Sequence, residues 1–202
     1  MMRLLWSILA EVYSDLRIGG LKLGKPKLLF NQPKKELDCE YSETIWADTT
    51  FTPAERILIL ESLDDLHYFC NGLVRLEIRF ELDKSDSEFI KKNCVLLRVD
   101  GYHPSIVASD ERIKSTTIGL CDWMANDTKR LYLVHERLSS PTTFRTTSIH
   151  ELGHFIGLDH TKIPSIMHRS NHNNVLYPTR LDAEEVAKVW SINPQDLRYF
   201  KL

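Results

Sequence analysis

The sequence predicts an α+β fold, and the order of its candidate elements is the basis of that prediction. A strand candidate at 41–48 precedes a capped helix, and several strand candidates follow between 74 and 134. Two further helices, separated by an irregular segment, complete the chain. This order is typical of an α+β domain. With 202 residues, 43% of them apolar, the chain can bury a core without disulfides.

The first 40 residues are predicted to be an appendage to this domain. Apolar residues near the start recur at helical spacing and predict an amphipathic helix that packs on the domain: Leu5, Ile8, Leu9, Val12 and Leu16. A cleaved signal peptide is the alternative, but the apolar run is short and ends at Glu11. Residues 19–38 are rich in chain breakers and lysine and indicate a linker, so the predicted units are 1–40 and 41–202.

The helix that follows the first strand is predicted from its boundary residues. Thr52 is placed as the N-cap, Pro53 as the first helical residue and Glu55 as the capping-box partner. Asn71-Gly72 supplies a stop signal. Its apolar positions are expected to be Ile57, Leu60, Leu63, Leu66 and Cys70. Strands are predicted at 74–81, where apolar and polar residues alternate, and at 94–99, 117–123 and 130–134.

Two helices are predicted in the C-terminal part of the chain. Ser140-Pro141 opens the first, which carries His150. The last helix is expected to begin at Asp182, with Glu185 as its capping-box partner. Leu181 and Val186 are placed to form its hydrophobic staple. Its apolar face is assigned to Val186, Val189 and Trp190.

The segment HELGHFIGLDH, residues 150–160, carries the chemistry. Positions i and i+4 share a helix face, so His150 and His154 can present two imidazoles to one metal ion. Glu151 lies one position along, within reach of a metal-bound water. Gly157 tolerates the positive φ of a helix end, which lets the chain return so that His160 supplies a third nitrogen. Three neutral imidazoles and a water are typical of a catalytic zinc site.

This segment resembles the zinc-binding sequence of the metzincin metallopeptidases, most closely that of the matrixins. Pro164-Ser165-Ile166-Met167 follows His160 and resembles the family's Met-turn, in which a methionine underlies the zinc-bound histidines. The alternative for Met167 is a plain core methionine. The resemblance implies a twisted mixed sheet of four to five strands, a backing helix, an active-site helix and a C-terminal helix.

The sequence also departs from the matrixin pattern. Thr161 stands where matrixins usually have serine, and neither a His/Asp cluster for a second zinc ion nor a clear calcium loop is evident. The matrixin cysteine switch is missing; Cys39 precedes the domain and is a weak candidate for capping the zinc ion.

The resemblance implies a zinc endopeptidase in which Glu151 takes a proton from the zinc-activated water and delivers it to the leaving amine. The substrate is expected to lie along the edge strand at 117–124, against Gly119 and Leu120. A specificity wall is expected at 174–177, where Tyr177 is either an oxyanion donor or a packing residue. His168 and His172 line the cleft or are solvated loop residues.

Composition bounds the partners and leaves alternatives open. A net charge of −2 gives no reason to expect nucleic acid, and no apolar run is long enough to span a membrane. The resemblance implies a peptide or protein substrate, and we expect a monomer. The lack of a convincing signal peptide favours a cytoplasmic location over secretion. Cys39, Cys70, Cys94 and Cys121 form either two disulfides or four small buried side chains. The functional alternatives are a catalytically silent zinc-binding module and an interaction protein that uses its N-terminal helix.

Overall fold

The computed structural model describes residues 33, 35–113, 116–162, 164–169, 175 and 177–199. The predicted N-terminal helix, most of the linker, His172 and half of the 174–177 segment lie outside these residues. Among the described helices, none is long and apolar enough to cross a membrane.

A five-stranded twisted mixed sheet forms the centre of the fold, which confirms the predicted architecture. Its strands are β1 (Tyr41–Asp48), β2 (Val74–Leu82), β3 (Val95–Val99), β4 (Gly119–Trp123) and β5 (Lys129–Val134). They are arranged in the order β2-β1-β3-β5-β4. All neighbouring pairs are parallel except β4 and β5, which pair antiparallel. Strand β4 is therefore an edge strand, as predicted for 117–124.

Five α-helices lie around this sheet in the part of the chain that the structure describes. They are α1 (Pro53–Cys70), α2 (Ser87–Lys92), α3 (Pro104–Ile113), α4 (Pro141–Phe155) and α5 (Arg180–Trp190), with short 3-10 helices at His135–Arg137 and Pro194–Asp196. Helices α2 and α3 lie between strands and are not predicted from the sequence. Helix α2 buries no side chain, and α3 buries only Ile106 and Ser109, so neither carries an apolar stripe that periodicity could detect.

Helix α1 has the predicted ends but not the whole predicted face. Thr52 and Glu55 form the capping box, and Asn71 ends the helix in the left-handed conformation. The assignment of Ile57 and Leu60 to the apolar face was wrong, because they are 58% and 43% exposed. The buried apolar face is instead formed by Ile59, Leu63, Leu66, Phe69 and Cys70, where α1 packs against α4.

Helix α5 begins two residues earlier than predicted. Its N-cap is Thr179, and its capping-box partner is Asp182 rather than Glu185. Val189 is 47% exposed and does not belong to the buried face, which consists of Ala183, Val186 and Ala187. The shift matters because it places the Asp182 carboxylate at the buried N-terminus of the helix.

The side chains of the sheet separate into two cores. Residues 129, 131 and 133 of β5 share the face on which α1, α4 and α5 form the larger core. The opposite face carries a smaller cluster that includes Val95, Leu97, Ile106 and Tyr132. In β4, Gly119 pairs with Leu133 and Trp123 with Lys129, so residues 119, 121 and 123 face α4.

Candidate metal centre and active site

Helix α4 and the turn after it bring the three predicted histidines together. Ser140 caps the helix by accepting the Thr143 N–H, and Pro141 fills the first helical position. The chain leaves the helix after Phe155 and turns at Gly157, whose φ of +97° is the positive value that the sequence predicted. Residue His160 thereby returns to face His150 and His154.

The three Nε2 atoms converge closely enough to hold one metal ion. The Nε2 atom of His154 lies 3.1 Å from that of His150 and 3.1 Å from that of His160, and the remaining separation is 3.2 Å. Nitrogens at the usual 2.0–2.1 Å from a tetrahedral zinc ion would lie about 3.3 Å apart. The geometry of the donor set therefore fits a single zinc ion.

Hydrogen bonds to backbone carbonyls fix the orientation of two of these rings. The Nδ1 atom of His150 lies 2.7 Å from the carbonyl oxygen of Ile166, and that of His154 lies 2.7 Å from the carbonyl oxygen of Leu158. A carbonyl accepts only, so Nδ1 carries the proton and Nε2 presents its lone pair to the centre. Ring orientation and tautomer are thus set by the protein.

Burial and mutual repulsion keep the histidines neutral. Burial, followed by the neighbouring His154, lowers the pKa of His150 to about 3. The same causes lower the pKa of His160 to about 4, and burial lowers the pKa of His154. Neutral imidazole is the form that binds a metal ion, so the cluster is prepared for a metal at neutral pH.

Met167, the residue assigned to a Met-turn, packs against Gly153 of the helix that carries His150 and His154. Its side chain is fully buried, and its sulfur occupies the space where a Cβ on Gly153 would lie. The backbone of the turn is held by Thr161, whose N–H donates to the Met167 carbonyl at 2.9 Å. Gly153 therefore allows close contact between the turn and the helix that carries two of the histidines.

Asp182 is a supporting residue that sequence reasoning missed. Its carboxylate accepts the N–H groups of Ile166, Met167 and Thr179 at 3.4, 3.3 and 2.7 Å, and the Thr179 hydroxyl at 2.8 Å. The capping box at 179–182 was a local signal for part of this arrangement. The bonds to the Met-turn are non-local, and no sequence pattern announces them.

Glu151 lies beside the histidines in a markedly different environment. The residue is 5% exposed, and its buried Oε2 has no hydrogen-bond partner among the described residues. Burial, with a smaller contribution from Asp122, raises the pKa of its carboxyl group to about 8. The side chain packs against Gly119 of β4 and Thr147 of its own helix.

The cluster opens into a cleft of about 800 Å³ between α4 and the edge strand β4. Gly119 and Leu120 line this cleft, as predicted, together with Trp123 and His168. Tyr177 is not among the described residues that line this cleft, and its ring centroid lies 5.4 Å from the Cζ atom of Arg145. That contact favours the packing alternative for Tyr177, and its role as an oxyanion donor stays a prediction.

Lys129 is a second supporting residue that the sequence did not reveal. Its side chain is buried, and its Nζ donates to the carbonyl oxygen of Phe155, the last residue of α4, at 2.7 Å. The same ammonium lies 4.2 Å from the ring centroid of Trp123 at the end of β4. Lys129 thus joins one end of the helix to one end of the edge strand, and both form walls of the cleft.

The cysteines take no part in the metal centre. All four are unpaired; Cys70 and Cys94 are buried, as expected for small core side chains, and Cys121 is half-buried. Cys39 is exposed at the start of β1, where its thiol donates to the Tyr41 carbonyl. It lies outside the residues that line the cleft, so the structure does not favour it as a zinc cap.

No family model matches the chain, and no curated protein does either. Among solved structures, the chain is similar to metalloproteinase-II from Bacteroides fragilis (13% identity, TM-score 0.48), archaemetzincin from Methanopyrus kandleri (14%, 0.46) and myroilysin (13%, 0.46). The alignments cover 79%, 76% and 81% of this chain, and 58%, 96% and 99% of those chains. Likenesses at this level do not decide the function, which must be inferred from the site.

Proposed function

We propose that the protein is a zinc-dependent endopeptidase of the metzincin type, with Glu151 as general base and acid. The observation that carries this proposal is the convergence of three Nε2 atoms beside a buried carboxyl group that has no hydrogen-bond partner at Oε2. The Met-turn contact beneath the histidines and the cleft along an edge strand support the same function.

Three neutral imidazoles would hold the metal ion, and a site with three protein ligands would leave a coordination position for water or substrate. A zinc ion bound there polarises the scissile carbonyl and lowers the pKa of a bound water. Because His150 and His154 are oriented by backbone carbonyls, their lone pairs need no rearrangement to bind. An open position of this kind distinguishes catalytic zinc sites from structural ones.

Glu151 moves the proton. Its carboxylate accepts a proton from the attacking water and later donates it to the amine that leaves. In the metal-free protein, burial disfavours the charged form of Glu151, and a zinc ion held by the neighbouring histidines would act in the opposite direction by favouring the carboxylate. The absence of a protein hydrogen bond at Oε2 leaves that oxygen available for the water.

The edge strand β4 binds the substrate backbone. Its outer side pairs with no strand among the residues that the structure describes, so its N–H and C=O groups are available to an extended peptide. Gly119 and Leu120 lie in the cleft at the point where Glu151 approaches the strand. A peptide paired with β4 would therefore carry its scissile bond past the carboxyl group.

The test compares wild type with Glu151→Ala in a peptide-library digest and in metal analysis. We expect both proteins to bind about one zinc ion, and the variant to lose roughly 10²–10⁴-fold in kcat because the proton acceptor is gone. His160→Ala should lose stoichiometric zinc, whereas His168→Ala should keep it, since His168 lies outside the Nε2 cluster.

Two results would overturn the proposal. Zinc bound by wild type without cleavage of any library peptide would favour a silent zinc-binding module. Unchanged zinc affinity in His160→Ala would show that the three-histidine centre is wrong.

A further inference from the structure

The first residue of the edge strand is a glycine whose backbone does not need one. Gly119 lies opposite Leu133 in the antiparallel pair with β5. Its φ lies outside the left-handed region, in contrast to Gly72 and Gly157. An alanine could adopt this backbone conformation without strain. The reason for the glycine must therefore be sought in what surrounds it.

The space in front of Gly119 is filled by the Glu151 side chain. A Cβ on residue 119 would lie 2.5 Å from Glu151 Oε1, 2.9 Å from its Cδ and 2.7 Å from Thr147 Cγ2. Carbon atoms in favourable contact are about 3.5–4.0 Å apart, so these positions cannot all be occupied. The carboxyl group is the free end of its side chain and is the group that would move.

Packing contributes to where this carboxyl group sits. Among the described residues, the buried Oε2 atom of Glu151 accepts no hydrogen bond. The other carboxylate oxygen, Oε1, lies against Gly119, and the methyl group of Thr147 reaches the same space. A side chain on residue 119 would therefore displace the carboxyl group without breaking a hydrogen bond at Oε2.

We propose that Gly119 is a positioning residue of the peptidase site, whose missing side chain creates the space that fixes the Glu151 carboxyl beside the metal centre. This inference rests on the proposed function for its catalytic consequence. It assigns Gly119 a second role beyond that of a backbone partner for the substrate. The edge strand then positions both the peptide and the proton acceptor.

The kinetic test is Gly119→Ala. We expect kcat to fall by about 10²-fold, the order of loss that a 1 Å misplacement of a reacting group can cause, while KM changes little. Zinc stoichiometry should remain at one, because the atoms nearest to a Cβ on residue 119 belong to Glu151 and Thr147 rather than to a histidine.

A second measurement needs no activity. Gly119→Ala should lower the thermal midpoint of the metal-free protein in the wild-type background and in Glu151→Gln, which keeps the size of the side chain. It should lower the midpoint less in Glu151→Ala, where the two conflicting Glu151 atoms are gone and only the Thr147 methyl group remains close. Non-additivity of this kind identifies Glu151 as the group that the methyl group displaces.

Each outcome decides one question. Wild-type kcat in Gly119→Ala would overturn the inference and leave the peptidase proposal intact. An equal drop in the midpoint in all three backgrounds would also overturn the inference, because the contact with Glu151 would not be the cause. If wild type cleaves nothing, the peptidase proposal fails, and the stability comparison still decides whether Gly119 positions Glu151.

Discussion

Helix α4 carries Glu151 and two histidines of the cluster, but their side chains are held in place in different ways. His150 and His154 each have one ring nitrogen bonded to a backbone carbonyl at 2.7 Å. The turn beneath them is tied down by the buried Asp182. Glu151 is as deeply placed, but its Oε2 has no partner and its position depends on packing against Gly119 and Thr147.

This difference separates two tasks within one turn of helix. The metal ligands are oriented in advance, because any rearrangement on binding would weaken the site. Under the proposed function, free hydrogen-bonding capacity at the buried carboxyl group suits a residue that exchanges a proton rather than one that holds a fixed partner. The two regions should therefore respond differently to substitution and to pH.

The largest effect is expected from Asp182→Ala. The substitution leaves the buried N–H groups of Ile166, Met167 and Thr179 without their acceptor. We expect a loss of at least about 3 kcal/mol in the free energy of unfolding, since each buried donor left without an acceptor costs about 1–3 kcal/mol. Metal affinity should fall by about 10–100-fold, as it does when support of ligands is removed. Denaturant titration and zinc titration measure the two effects.

Glu184→Gln is the control for that experiment. Glu184 lies on the same helix but pairs with Arg180 at the surface, at 2.8 Å between two well-exposed side chains. Its loss should change stability by no more than about 0.5 kcal/mol and leave the metal affinity unaltered. If Asp182→Ala keeps wild-type metal affinity, the turn does not depend on this carboxylate and the contrast between the two regions is incorrect.

The sequence predicts well what is encoded locally. The capping box at Thr52 and Glu55 is a four-residue signal, and it gave the correct start of α1. Gly157 had to accept a positive φ for His160 to return, and it does. Alternation in Val74–Leu82 likewise identified β2, because apolar residues on one face of a strand recur at every second position.

The features missed from the sequence depend on contacts between distant segments. Asp182 supports the Met-turn across 15 residues of chain, and Lys129 joins α4 to β4 across 26. Ile57 and Leu60 fit the helical period but face solvent, because period alone does not say which side of α1 meets α4. Gly119 was assigned to substrate binding from its place in the edge strand, and only the structure shows Glu151 against it.

An intermediate effect is expected in the pH dependence of the metal-free protein. The Glu151 carboxyl has a pKa of about 8 when folded and an ordinary value of 4.5. Between these values the folded state binds more protons than the unfolded state, so this group's contribution to stability is lost as pH rises. In Glu151→Gln this dependence on pH is absent. In wild type it lowers the free energy of unfolding by at most about 2 kcal/mol between pH 5.5 and 7.0, at about 1.36 kcal/mol per pH unit.

Denaturant midpoints of both proteins, measured in the presence of a chelator, test this expectation. The stability that the histidine cluster contributes changes with pH in the opposite direction. Because the pKa values of His150 and His160 are lowered, this contribution is present above pH 6.5 and is lost as the pH falls. Metal-free wild type should therefore show opposing slopes, and Glu151→Gln should retain only the rise from low pH. Identical curves for the two proteins would show that Glu151 is not protonated in the folded state.

The smallest effect is expected at His67, a half-buried histidine of α1. Its Nε2 accepts the Leu76 N–H at 2.9 Å, which ties α1 to β2 and requires the unprotonated nitrogen. Burial lowers its pKa, so its contribution to stability is present above pH 6.5 and lost as pH falls. His67→Gln offers a carbonyl oxygen to the same N–H and does not titrate. We expect its denaturant midpoint to lie within about 1 kcal/mol of wild type at pH 7.5 and to fall less steeply towards pH 5. Equally steep curves would mean that His67 does not contribute to the loss of stability in acid.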